Sequence, residues 1–141
     1  MDRTLDTVYT IEDWYDGPRE GAANFRGVPH RYRSVYLDTP AWNPEEDRFE
    51  LTPISMEILI AMREAHELWR RWDDARREGT VPEMSDDAPR VLPEDQVRYS
   101  ALRAEIDAAL AGLVPTILAR GAFQYRPDRV QWTSVEAAPA L

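Results

Sequence analysis

Residues 14–36 read WYDGPREGAANFRGVPHRYRSVY, and this stretch decides how the first third of the chain is built. From Val28 the residues alternate. Val28, His30, Tyr32, Ser34 and Tyr36 share one face, and Arg31, Arg33, Val35 and Leu37 share the other. That period of two is the mark of a strand with one side turned to a core. Asp16-Gly17-Pro18 stops a preceding strand as a turn. Ala22 to Phe25 reads as a short strand, and Arg26-Gly27 as a tight turn. Pro29 places the next strand at a sheet edge or delays its first ladder bond.

The pattern extends outward in both directions. Thr7 to Tyr15 alternates loosely, with Tyr9 and Ile11 opposite Val8 and Thr10. Thr39 to Asp47, with two prolines and an acidic cluster, reads as a loop, and Phe49 to Leu51 as a short strand. A helix follows, with Thr52 as its cap and Pro53 in its first position, where a missing N–H is harmless. It is expected to run to about Glu78 and end at Gly79. Ile54, Ile58, Ala61, Met62, Ala65, Leu68, Trp69 and Trp72 line one side of it. Ile60 falls on the polar side. Residues 80–92 form a linker rich in proline and acid. Pro93-Glu94-Asp95 opens a second helix, and Gly112 and Pro115 weaken its end. Ala122–Tyr125 and Val130–Val135 read as a hairpin around Arg126-Pro127-Asp128-Arg129. Residues 136–141 are expected to fray.

The expectation is therefore a single α+β domain over residues 1–141 in the order β-β-β-β-α-α-β-β. An antiparallel sheet of four to six strands would pack one face on two helices. Trp69, Trp72, Phe49, Phe123 and Trp132 are the main core candidates.

Composition excludes much chemistry. There is no cysteine, and all 17 basic residues are arginine. A thiolate nucleophile, a disulfide framework and a cysteine-based metal site are excluded. So are a Schiff-base lysine and a standard phosphate-binding loop. No cofactor and no metal site is expected. His66 opens HELWRRW, which lacks the second histidine of a metalloprotease helix. The balance of 26 acidic against 17 basic residues gives a net charge of −9. It argues against general nucleic-acid binding and against an anionic membrane surface. No apolar run reaches the ~20 residues of a bilayer span, and the first ten residues carry no secretory signal. A soluble, cytoplasmic protein is the expectation.

Two groups of residues are candidates for a site. His30, oriented by Asp16, has the chemistry of a general base, with Tyr32 on its strand face. Arg19, Arg31 and Arg33 could bind an anionic ligand. The alternative is that His30 is a hydrogen-bonded structural residue. The second group is aromatic and acidic: Trp14, Tyr15 and Trp42, with Glu45, Glu46 and Asp47. Aromatics off the core stripes mark interfaces or cap the ends of a core. Asp86 and Asp87 form a further acidic pair.

The opening YDGPREGAANFRGVPHRY, followed by FELTPIS and the tryptophan-rich ELWRRW, resembles a group of small uncharacterised bacterial proteins over roughly the first 75 residues. The resemblance implies no activity, ligand or site. The expected function is an acidic binding or adaptor protein for a protein partner, a basic one included, with an inhibitor or immunity-type protein as one form. The alternatives are a small enzyme or anionic-ligand binder centred on Asp16, Arg19, His30 and Tyr32, and a structural subunit of a larger assembly.

Overall fold

The computed structural model describes residues 5–35, 47–81, 88–124, 126 and 128–135. Six strands close into an antiparallel barrel in sequence order: β1 (Asp6–Trp14), β2 (Pro18–Phe25), β3 (Val28–Ser34), β4 (Arg48–Pro53), β5 (Ile117–Phe123) and β6 (Arg129–Ser134). The helices α1 (Met56–Arg77) and α2 (Gln96–Ala111) lie between β4 and β5 in the chain. The chain divides into two compact units, Met1–Leu59 with Leu113–Leu141, and Ile60–Gly112.

The open sheet packed on a helix pair is thus corrected to a closed wall in which β1 pairs with β6, Asp6 opposite Val130 and Thr7 opposite Arg129. Elements of both kinds are present, as expected. An inward/outward alternation looks the same in an open sheet and in a barrel, so the strand pattern does not distinguish them. Closure comes from curvature. On β1, Tyr9 and Glu12 are extra residues relative to β2, and such bulges bend and twist a strand. The Thr10 hydroxyl fills the gap left in the ladder, accepting the Ala22 N–H at 2.9 Å while donating to Glu12 Oε2 at 3.1 Å.

Side chains fill the barrel interior. Tyr32, Phe49, Phe123 and Trp132 form a mutual cluster in which every pair of ring centroids lies between 5.4 and 6.0 Å. Val8, Ala23, Phe25, Leu51, Ala119 and Val130 complete it, with Ile11 and Ile117 packed against it. Trp132 places its indole N–H on the Asn24 carbonyl at 2.9 Å. Three of the expected core aromatics, Phe49, Phe123 and Trp132, belong to this cluster. A small six-stranded barrel packed in this way is a core rather than a ligand cavity.

The hairpins follow their turn chemistry. Phe25 pairs with Val28, so Arg26-Gly27 is a two-residue loop, and both residues have positive φ (51° and 78°), as a type I′ turn requires. Asp6 holds this turn from β1: its carboxylate accepts the N–H of Arg26 at 3.1 Å and of Gly27 at 3.0 Å. Removing that carboxylate strands two backbone donors, so Asp6→Ala is expected to cost about 1–2 kcal/mol. A urea midpoint that falls at constant slope would show it; an unmoved midpoint would show that the turn holds itself.

α1 starts later than expected. Thr52 and Pro53 finish β4, and Ser55 is the cap, its hydroxyl accepting the Ile58 N–H at 3.2 Å. The end is as read: the Thr80 N–H closes onto the Ala75 carbonyl at 2.9 Å. Leu59, Ala61, Met62, Ala65 and Leu68 are buried. Trp69 is not a core residue. It is 36% exposed and stacks on His66, with ring centroids 5.8 Å apart. Ile60 is exposed, in keeping with its place on the polar side. Arg98 on α2 clamps Glu64 on α1 through both carboxylate oxygens, at 2.6 and 2.7 Å. The pair favours the ionised carboxylate, so the Glu64 pKa falls below the ordinary value and that of Arg98 rises. Among the described residues no helix is long and apolar enough to cross a membrane.

Candidate functional site

The candidate residues divide between two places. The first is the rim of the barrel at the β1–β2 turn. Trp14 ends β1 and pairs with Pro18, leaving Tyr15-Asp16-Gly17 as a three-residue loop. Trp14 and Tyr15 are 60% and 58% exposed, although large aromatics are usually covered. Asp16 is exposed and lies in the left-handed region, with φ 55°.

Arg19 anchors this loop from beneath. It continues the inward alternation of Phe25, Ala23 and Gly21 along β2, and only 2% of it is exposed. Its Nε–H donates to the Tyr15 carbonyl at 2.9 Å, and Nη2 donates to the Asp16 carbonyl at 3.2 Å. Nη1 donates to Ser34 Oγ on β3 at 3.4 Å and to Asp47 Oδ1 just before β4. The guanidinium carbon lies 5.7 Å from the centre of the Phe49 ring. One buried cation therefore ties the loop backbone to two further strands. A guanidinium spent in this way works as a structural clamp. Asp47, read as part of an acidic docking surface, is its counter-ion.

The second place is the interior and outer wall of β3. His30 is 5% exposed. Its Nδ1 lies 2.7 Å from the Val28 carbonyl, and its ring meets Phe25 edge-on with centroids 5.6 Å apart. In register it faces Ala23 on β2 and Pro53 on β4. The Asp16 loop begins beyond Pro18, five residues along β2 from Ala23. At ~3.3 Å per residue that is roughly 16 Å, so Asp16 does not orient His30.

Tyr32 is fully buried and donates its hydroxyl to the Thr10 carbonyl at 2.8 Å. Burial pushes its pKa well above the ordinary value, the Glu12 and Glu20 charges add to the rise, and Arg19 opposes it. The phenol is therefore a donor locked into the wall. Arg31 and Arg33 project outward at half-buried positions. Arg31 pairs with Glu20, and Arg33 stands in register with Glu20 and Glu50.

The structure thus brings Trp14, Tyr15, Asp16, Arg19 and Asp47 together at one rim and leaves His30, Tyr32, Arg31 and Arg33 in the wall. Trp42, Glu45, Glu46, Asp86 and Asp87 lie outside the described residues. Among the described residues no group of three or more acidic or histidine side chains is placed to hold a metal ion. The clamp role of Arg19 was missed by the sequence reading, which began β2 at Ala22. Continuing the period of two back from Phe25 places an arginine inward, the available signal for a buried cation.

Comparison with protein-family models, with curated proteins and with solved structures finds no match to this chain.

Proposed function

We propose that this chain is a protein-binding module that docks through the β1–β2 turn. One observation carries the reading: two adjacent aromatics, Trp14 and Tyr15, are displayed to solvent on a loop whose backbone is held by the buried Arg19. Tryptophan and tyrosine dominate the energetic centres of interfaces. Their cost on binding is the ordering of side chain and loop, and a loop held in place beforehand reduces it. The net charge of −9 favours a basic partner through faster association. Docking of this kind serves an adaptor, an inhibitor or a subunit of an assembly alike. An enzyme centred on His30 has less support, because that side chain is enclosed and its nearest partners are a carbonyl and a phenyl ring.

The test uses the whole chain as bait in an extract of its host. Wild type, the double variant Trp14→Ser/Tyr15→Ser and a control, Trp69→Ser, are compared after their melting temperatures are shown to agree within a few degrees. The expected result is a protein retained by wild type and control and lost with the double variant. Equal capture by all three baits, or capture of nothing, overturns the reading.

A further inference from the structure

The unit Ile60–Gly112 gathers positive charge at the C-terminal end of α1. Trp72 is half-buried there, with two guanidinium groups against its ring. The guanidinium carbon of Arg76 lies 5.5 Å from the ring centre and that of Arg90 lies 6.0 Å from it. Asp73, buried beside the ring, is divided between two cations. Arg76 donates to its Oδ1 at 2.7 Å, and Arg77 Nε is 3.2 Å from its Oδ2. Three guanidinium groups thus share one carboxylate. All three arginines are exposed, and among the described residues Arg90 meets no carboxylate.

The neighbouring acids do not restore the balance. Asp74 and Glu78, two residues either side of Arg76, lie about 160° round the helix axis from it. Asp95 is taken by Arg71, at 3.5 Å. The Trp72 ring also prepares the cations for a ligand. Stacking uses the flat face of a guanidinium and leaves the N–H groups on its edge. A guanidinium held in this way has less freedom to lose when a carboxylate pairs with that edge.

We propose that the Arg76–Trp72–Arg90 face binds an acidic segment of a partner protein, neighbouring carboxylates pairing with the guanidinium edges of Arg76 and Arg90. The proposal goes beyond the docking rim and stands without it. It adds a second surface, of opposite preference, to the one that favours a basic partner. The net charge of −9 repels an acidic segment at long range, so local contacts must retain it. A nucleic acid, whose binding depends on neutralising many phosphates, fits this small cluster less well.

A capped tetra-aspartate peptide, titrated into the isotopically labelled whole chain, tests it. NMR follows the Nε–H groups of Arg76 and Arg90 and the indole N–H of Trp72. That indole N–H is buried and meets no acceptor among the described residues, so its signal reports on the ring. Saturable shifts are expected with tetra-aspartate and none with tetra-asparagine. Arg90→Gln is expected to weaken binding about fivefold. Arg90→Lys keeps the charge but not the stacked fork, and is expected to weaken it about threefold. Arg120→Gln removes one exposed cation elsewhere and is expected to leave binding within about twofold.

Absence of saturable shifts, wild-type affinity in Arg90→Lys, or equal loss in Arg90→Gln and Arg120→Gln overturns the proposal. So does an equal response to inorganic phosphate, which shows a general oxyanion seat, or tighter binding of a single-stranded oligonucleotide. Trp14→Ser/Tyr15→Ser is expected to bind tetra-aspartate within about twofold of wild type. Loss of the peptide in that variant overturns the proposal of a second surface and leaves the docking rim to its own test.

Discussion

Gly21→Ala is expected to destabilise the barrel by about 4 kcal/mol. A Cβ at this position would stand 2.1 Å from the Thr10 carbonyl oxygen and 2.7 Å from the Tyr32 hydroxyl. Neither obstacle is the free end of a flexible chain. The first is backbone of the neighbouring strand, and the second is held by its hydrogen bond to that same carbonyl. Relief requires β1 and β2 to part at the bulge. Forcing one methyl into a packed site costs about 1–3 kcal/mol, and stranding the buried Tyr32 hydroxyl adds about 1–3 kcal/mol. Urea unfolding followed by far-ultraviolet circular dichroism measures the sum. A midpoint equal to that of wild type would mean that the strands separate there freely. Tyr32→Phe in the Gly21→Ala background apportions the two parts, because it removes the hydroxyl that the methyl displaces.

Arg19→Met is expected to cost about 2–4 kcal/mol and to loosen the rim. Breaking a buried ion pair from one side costs about 3–5 kcal/mol, because the other charge is left without a partner. The Asp47 side chain keeps 21% of its surface in contact with solvent, which lowers the figure. The Tyr15 and Asp16 carbonyls lose their donor in the same substitution. Methionine keeps much of the volume, so the loss reports on hydrogen bonds and charge rather than on a cavity. Two readouts separate stability from site geometry: the urea midpoint, and the NMR line widths of the Tyr15 and Asp16 amides. A variant with wild-type midpoint and unchanged lines would show that the loop stands without its clamp. If the loop does loosen, the proposed docking weakens even where the protein remains folded, since the ordering cost returns to the binding step.

Much of the local structure was legible, for reasons that can be named. β3 reads clearly because His30, Tyr32 and Ser34 alternate with Pro29, Arg31 and Arg33 without interruption, and the inner set is the buried one. The Arg26-Gly27 turn announced its hairpin by residue type, whereas Tyr125 and Pro127 of the second expected turn lie outside the described residues. Closure was not legible, since it depends on bulges that break the very period used to find strands. β1 alternates loosely because Tyr9 and Glu12 are inserted residues. The strand expected from Ala122 begins at Ile117 and contains Gly121, where an added Cβ would lie 2.6 Å from the Trp132 ring and 3.1 Å from Phe49. It is the space into which the aromatic cluster fits. Trp69 was misplaced because a helical wheel gives the middle of an apolar stripe but not its edge. At the site, Trp14 and Tyr15 were visible beside an Asp-Gly turn. The bond between Arg19 and Asp47 was not, because its ends are 28 residues apart and no local pattern links them.

Among the described residues the barrel wall has one short join: five of its six junctions show four to six paired residues, whereas β1 and β6 show two. The backbone bond from the Val8 N–H to the Asp128 carbonyl extends that join by one rung. Asp6 stands in the join and also grips the Arg26-Gly27 turn, so it works as a latch on a seam. A cylinder sewn shut at one short seam opens by unzipping there, not by melting evenly. Once open, it presents two strand edges of matching register, each able to accept the partner edge of another copy. Among the described residues, resistance to strand exchange is therefore concentrated in a few rungs and one carboxylate.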